Sequence, residues 1–432
     1  MKKKYICSLC FIFYCGIFFA QDVKPEILTL NMALESAKKL NPELLNQKII
    51  LESATRENKS VWNNFLPKLS VDGGISMPHG QGVEPSLGWS ASAGLSLSLS
   101  VATGPKIKQS ALAYDIALLN FYKTEKKVLS SIEQTYYSLI AEKKNINILQ
   151  TSLMLAESSY NQVLQNYNRG LVSELDMLNA RYAYHSIQPN LESAISKFAY
   201  NLSNFAITVG KDGQRFSIEE NLEIPIVKLS MLDGEKLCEK YLLKRIDIKL
   251  KELALENARL TLKMQKTSTQ VPTIRLSESL SLREKAEGLA LSGSFSVSTS
   301  IPLSSYIPGS ETANSIANKE DSVLSAERDL ENTKNVARND ISKKAAEVNR
   351  LWNMISLAEM NRSIAIRSHE LSNEGYNAGL VSRTDFDNAR QKMTKAEQDV
   401  ISAKLSYFNA VYDLALALEI SIEELYETMG VK

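Results

Sequence analysis

Tyr376-Asn377-Ala378-Gly379-Leu380-Val381-Ser382-Arg383-Thr384-Asp385, followed by Asn388-Ala389-Arg390, nearly restates an earlier passage of the same chain. That passage is Tyr167-Asn168-Arg169-Gly170-Leu171-Val172-Ser173-Glu174-Leu175-Asp176, followed by Asn179-Ala180-Arg181. The chain is therefore an internal duplication. A repeat of roughly 200 residues is too long for a solenoid unit, whose periods run about 20 to 50, so two fused and similar half-proteins remain.

Each copy joins two helical stretches. Ahead of the first, Ile146, Leu149, Leu153, Ala156, Tyr160, Val163 and Tyr167 alternate steps of three and four, the coiled-coil spacing. Gly104-Pro105 opens this helix and Gly170 closes it, so at 1.5 Å per residue it runs to about 95 Å. A second helix follows from about Ser173 to Val209, with Pro189 expected to kink or break it because proline removes a backbone donor and crowds the preceding turn. In the second half, Ile341, Ala345, Val348, Trp352 and Ile355 keep the same step along a helix from about Ser310 to Asn377. The last helix then runs from Ser382 to about Glu419. Upstream, Thr29 to about Asn64 reads as helix with a fresh start at Asn41-Pro42-Glu43-Leu44. Arg245-Ile246-Asp247-Ile248 opens its counterpart, which runs to about Thr267.

Between these helices the pattern changes. Leu87, Trp89, Ala91, Ala93, Leu95, Leu97, Leu99 and Val101 alternate with Ser90, Ser92, Ser96, Ser98 and Ser100, a period of two that predicts a strand with one apolar and one hydroxyl face. Leu69, Val71, Gly73, Ile75 and Met77 form its weaker partner across the Gly- and Pro-rich connection Pro78–Ser86. In the second half, Leu289, Leu291, Phe295, Val297, Ile301 and Leu303 alternate with Ser292, Ser294, Ser296, Ser298 and Ser300. Ile274, Leu276 and Leu280 make the partner strand, Glu278 interrupts its apolar face, and Arg283 to Gly288 reads as a polar turn.

Lys2-Lys3-Lys4, an apolar run from Tyr5 to Phe19 and Ala20 read as an export signal, so the mature chain is expected to begin near Gln21. Cys15 before Gly16 is a weaker candidate for lipid attachment, because Ile12-Phe13-Tyr14 lacks the small residues usual before one. With three of the four cysteines inside the signal, Cys238 has no partner for an intramolecular disulfide. The charge balance of 50 basic against 49 acidic residues gives no concentrated positive charge for nucleic acid. His79, His185 and His369 form no zinc pattern, and no nucleophile elbow, Walker loop or dinucleotide fingerprint occurs. No cofactor is expected, and an enzyme reading has nothing to stand on.

The organisation expected is thus a signal over 1–20, a first repeat over 21–209 with a hairpin about 68–102, and a linker or equatorial segment over 210–232. A second repeat over 233–420 with a hairpin about 273–303 and a tail over 421–432 complete it. The fold class is mainly α with membrane β. A water-facing side of a soluble sheet usually carries Lys, Glu and Thr rather than near-continuous serine. In a membrane barrel the apolar face meets lipid and the polar face lines a wet lumen. Two hairpins give four strands, and a sheet in lipid must close so that no edge is left unpaired, which calls for several chains.

The duplicated order of helix, hairpin, long helix, glycine turn and helix resembles the TolC-type outer-membrane efflux proteins. Asn41-Pro42-Glu43-Leu44, the Pro67 and Pro272 strand starts and the two Tyr-x-x-Gly-Leu-Val-Ser-x-x-Asp turns carry the likeness, which covers essentially the whole mature chain. The resemblance implies a homotrimer with one twelve-stranded barrel in outer membrane lipid, continued by a periplasmic helical tunnel. It implies passive export as the exit duct of an efflux or type I secretion system, with a membrane-fusion adaptor and an inner-membrane pump as partners. A periplasmic coiled-coil adaptor or structural protein is the alternative, and it leaves the two hairpins unexplained. The cargo is not legible.

By the same resemblance, Gly170, Leu171, Val172, Ser173 and Gly379, Leu380, Val381, Ser382 lie at the periplasmic tip and meet the adaptor. Their residue types also fit a tight helix connection with glycine in the left-handed region and serine as N-cap. Asp385 and its counterpart Asp176 fall where the family carries an aspartate at the tunnel aperture. Equally, Ser173-x-x-Asp176 and Ser382-x-x-Asp385 fit a capping box. Asn388, with Asn179 in the first copy, stands where a second family aspartate is expected, which weakens an acidic ring. Trp62 and Trp89 suit a membrane interface, and Trp62, before Pro67, equally suits packing in the helix layer. Trp352, Tyr136, Tyr160 and Tyr167 suit the seams, and His185 and His369 suit solvated faces.

Overall fold

Helix starts in this chain are written locally, by side chains that accept from the first free amides. The computed structural model describes residues 26–77, 87–211, 216–219, 222–285, 288–301 and 303–429. The expected signal, Cys15 within it and the connection Pro78–Ser86 lie outside the described residues. After strand β1 (Glu26–Leu28), helix α1 (Leu30–Leu40) begins under Thr29, whose hydroxyl accepts from Met32 N. The Asn41 side chain then accepts from Glu43 N and Leu44 N, and Pro42 occupies the first turn of α2 (Pro42–Ser60). A short 3-10 turn, Val61–Phe65, ends this arm before Pro67.

Strands β2 (Lys68–Ser76) and β3 (Gly88–Leu99) lead into α3 (Thr103–Asn168), a helix of 66 residues. At 1.5 Å per residue it spans about 100 Å. The expected break at Pro189 is present: α4 (Glu174–His185) ends two residues before α5 (Gln188–Thr208), and Pro189 sits in the first turn of α5, where its missing donor costs no bond. Strand β4 (Phe216–Ile218) and helix α6 (Gly234–Tyr241) follow. The second half then runs through α7 (Ile246–Gln270), β5 (Thr273–Lys285), β6 (Gly288–Ser300), α8 (Glu311–Asn377), α9 (Arg383–Leu418) and α10 (Ile422–Thr428). The molecule is mostly helical.

Both helical seams occur as read. Ile146, Leu149, Ala156 and Val163 are buried, as are Ile341, Ala345, Val348 and Ile355, while Trp352 packs edge-on to Tyr407 at 5.4 Å. Three stretches differ from expectation. The segment 210–232 is more than a linker: β4 pairs in parallel with β1, and Phe216, Ile218 and Ile224 enter one core cluster while Leu229 and Leu232 enter the other. Three-residue strands carry too few side chains to show a period, so the sequence pattern was silent. The stretch 421–432, expected as a tail, carries α10, whose Leu425 is fully buried in the second cluster. The turn expected over Arg283–Gly288 is shorter, because the ladder continues through Arg283↔Ala290 to Lys285↔Gly288.

The hairpins join into one antiparallel sheet of order β2-β3-β5-β6. Its register aligns the rows across all four strands: Asp72, Ser92, Ser281 and Ser292 share one row, and Val71, Ala93, Leu280 and Gly293 the next. One face is therefore apolar and the other hydroxyl. On the hydroxyl face Ser277–Ser296, Ser279–Ser294 and Ser281–Ser292 are bonded at 2.7, 2.9 and 2.8 Å. On the apolar face Leu69, Val71, Ile75, Leu289, Leu291, Phe295 and Val297 are all exposed, Val71 by 77%. Glu278 interrupts that face between Leu95 and Phe295, as its sequence position predicts. Among the described residues no layer covers either side of β2, every residue of which is exposed.

Candidate functional site

The two repeated turns are built alike. Gly170 and Gly379 take φ of 74° and 73°, a region that L side chains rarely adopt. Leu171 N donates to Asn166 O at 2.9 Å and Gly170 N to Tyr167 O at 2.8 Å; Leu380 N donates to Gly375 O and Gly379 N to Tyr376 O in the same pattern. This is the Schellman arrangement that closes a helix. The following helices then start under serine: Asp176 N donates to Ser173 Oγ at 3.2 Å, and Asp385 N to Ser382 Oγ at 3.1 Å. The turn therefore follows from glycine at its left-handed position and serine three residues later.

The valines and leucines of these turns behave oppositely. Val381 packs onto Gly375, where an added Cβ would come within 2.6 Å of its Cγ2, so a larger residue there would displace the valine. Leu171 is 70% exposed and Leu380 is 85% exposed. A groove of about 630 Å3, lined by Ile364, Leu371 and Val381 with Arg367, Ser363, Ser368 and Ser372, lies beside the second turn. Each tip thus presents an uncovered leucine held on a rigid closure.

The aspartates serve as caps. Ser173 Oγ donates to Asp176 Oδ2 at 2.6 Å and Ser382 Oγ to Asp385 Oδ2 at 2.7 Å, while Ser173 N completes a capping box on Asp176. A cap uses part of a carboxylate and leaves acceptor capacity free. Asn179 and Asn388 are exposed one turn further along. Asn388 opens onto a groove of about 710 Å3 between α8 and α9, together with Met354, Leu357, Lys392, Lys395 and Asp399.

Sequence reasoning missed a buried charge cluster behind the second turn. Asp387 is held by Arg383 Nε at 2.8 Å and Arg390 Nη2 at 3.0 Å, and the two arginines are only 4% and 3% exposed. Arg383 also lies over the rings of Tyr376 and Phe386, at 5.5 and 5.4 Å. His369, expected on a solvated face, is half-buried with its ring 5.4 Å from Phe386. Burial, and then the nearby Arg390 guanidinium, hold its pKa below the ordinary imidazole value. Among the described residues Arg390 Nη1 and His369 Nδ1 are buried without a hydrogen-bond partner. The signal was present in the spacing: Arg383, Asp387 and Arg390 step by four and three, the period of the seam itself. The first copy lacks the cluster, with exposed Glu174, Leu178 and Arg181 at the matching positions and Tyr160 stacked on Tyr184 at 6.1 Å.

Among the described residues no group of three His, Cys, Asp or Glu side chains is placed to hold a metal ion. No single described helix is long and apolar enough to cross a membrane.

A family model described as outer membrane efflux protein matches residues 33–199 and 237–418, one segment in each half. No curated protein matches the chain. Among solved structures, the Campylobacter jejuni CmeC outer membrane channel superposes with a TM-score of 0.75 at 19% identity, over 93% of this chain and 89% of that one. The Vibrio cholerae outer membrane protein VceC gives 0.73 at 15% identity, over 91% and 96%. The open state of the Neisseria gonorrhoeae MtrE outer membrane channel gives 0.73 at 17% identity, over 91% and 89%.

Proposed function

The chain belongs to the outer membrane efflux protein family, and on that premise we propose that it is the exit duct of a tripartite efflux or type I secretion assembly. It is a channel protein rather than an enzyme, located in the outer membrane with a helical part in the periplasm. Three copies close one barrel of twelve strands, and their helices continue it as a tunnel. Cargo passes without chemistry by the duct; an adaptor and an inner-membrane pump supply the energy.

The observation that carries this reading is the four-stranded sheet, whose apolar face is uncovered and whose edge strands β2 and β6 are paired on one side only. In water such a face and two such edges invite aggregation. In lipid the apolar face is satisfied, and closure on further copies satisfies the edges. A periplasmic adaptor would have no use for the sheet.

Three copies set six Gly-Leu-Val-Ser turns around the far end of the tunnel, with Leu171 and Leu380 offered to the adaptor. Asp176 and Asp385 line the aperture there, with Asn179 and Asn388 one turn deeper. Photo-crosslinking from cysteines placed at Leu171 and Leu380 tests the assembly in cells: adducts with an inner-membrane-anchored protein are expected. If neither position yields one, the duct does not dock through these turns.

A further inference from the structure

Charge is distributed unevenly over the hydroxyl face of the sheet. Among the described side chains the register puts Lys68, Arg275 and Arg283 there, with one carboxylate, Asp72. Arg275 lies between Ser98 and Ser298 near the helical end, and Lys68 lies in the adjacent row with Ser96, Ser277 and Ser296. Arg283 lies between Ser90 and Ala290 near the hairpin end. Between them run the bonded serine pairs Ser277–Ser296, Ser279–Ser294 and Ser281–Ser292. Lys68, Arg275 and Arg283 are exposed, and among the described residues neither arginine has an ion-pair partner. Glu278 is on the opposite face.

Cations that merely anchor a barrel at the lipid interface belong on its apolar side, where they reach headgroups. These three are on the other side. We propose that the inner wall of the barrel is an anion path, with Lys68 and Arg275 forming one positive zone, Arg283 a second, and an uncharged hydroxyl belt between them. The proposal rests on the reading that the hydroxyl face lines the lumen, and it names the charge class of cargo that this lumen favours.

The spacing gives two separate filters. Eight residues at about 3.3 Å each set the arginine rows about 26 Å apart along the strand, well beyond the screening length of about 8 Å at physiological salt. A unit charge about 7 Å from a passing ion in water changes the local concentration of that ion by about threefold. Rings of Arg and Lys select anions in other pores by the same means. Serine hydroxyls add donors without opposing charge. Asp72 works against both zones.

Reversal potentials of the full-length mature protein in planar bilayers under a KCl gradient test this. Arg275→Gln together with Arg283→Gln should lower the Cl⁻ over K⁺ permeability ratio by about threefold relative to the unsubstituted protein, and Asp72→Asn should raise it. The tip is common to all three proteins, so the differences belong to the barrel. Unchanged reversal potentials in both variants, or shifts in the reverse directions, overturn the proposal while leaving the duct intact. If the unsubstituted protein forms no conducting pore, the duct reading fails and the anion path with it.

Discussion

Asp387 answers to two buried arginines, and His369 sits beside the one left over. Proton uptake by His369 would add charge next to Arg390, opposed by Glu370 on its own helix; Asp387 is already engaged by Arg383 and Arg390. Because burial and Arg390 lower its folded pKa, the unfolded tip binds the proton more tightly. The packing of the α8–α9 tip is then fully stable above the ordinary value of about 6.5 and weakens as pH falls through it. Amide exchange over residues 365–390, corrected for intrinsic rates, should show protection lost between about pH 7.5 and about pH 5.5 in the native protein and kept in His369→Gln. Equal loss in both would remove His369 from the account. The sequence showed this histidine amid polar neighbours, and only the fold reveals that His369 alone turns toward Phe386 while Arg367, Ser368 and Glu370 stay exposed. Leu171, Leu380 and the glycine closures were legible because glycine and serine act on their own backbone.

At the scale of elements, the duplication extends to a rivet that the sequence hides. In the first half Asn41 Nδ2 donates to Thr208 O at 2.8 Å, tying the start of α2 to the end of α5. In the second, Arg245 Nη1 donates to Ala417 O at 3.2 Å, tying the start of α7 to the end of α9. The residues differ but the junction is the same. Gly210 ends α5 at φ 74°, where a Cβ would overlap Leu40 Cβ, and Glu419 ends α9 at φ 59°. Glu419 uses that left-handed position to accept from Ile246 N and from Lys126 Nζ. Helices, hairpins and their order were readable from periodicity; this junction was not, because long-range bonds from Asn41 and Arg245 leave no local pattern. Asn41→Ala should cost about 1–2 kcal/mol through the lost cap and the unpaired Thr208 carbonyl. Asn41→Ser, which retains the cap alone, should fall between. The thermal midpoint of the detergent-extracted protein reads this, and an unchanged midpoint in Asn41→Ala would contradict the rivet.

At the scale of the molecule, the helices bury their seams within one chain, whereas the sheet buries neither face nor either edge. That contrast is why an assembly of copies follows from the single chain. The alternation of serine with leucine was visible in the sequence, and its consequence emerged only when the register joined both hairpins into one face. The central claim is that β2 of one copy pairs with β6 of the next. Within one chain these strands are separated by β3 and β5, about 14 Å at normal strand spacing, too far for a disulfide, which needs Cα atoms about 4.4–6.8 Å apart. In a Cys238→Ala background, Ser70→Cys combined in turn with cysteine at Ser292, Ser294, Ser296 or Ser298 should, for at least one pair, give covalent dimers and trimers after oxidation in isolated outer membranes. Monomers alone for every pair would contradict the closed barrel.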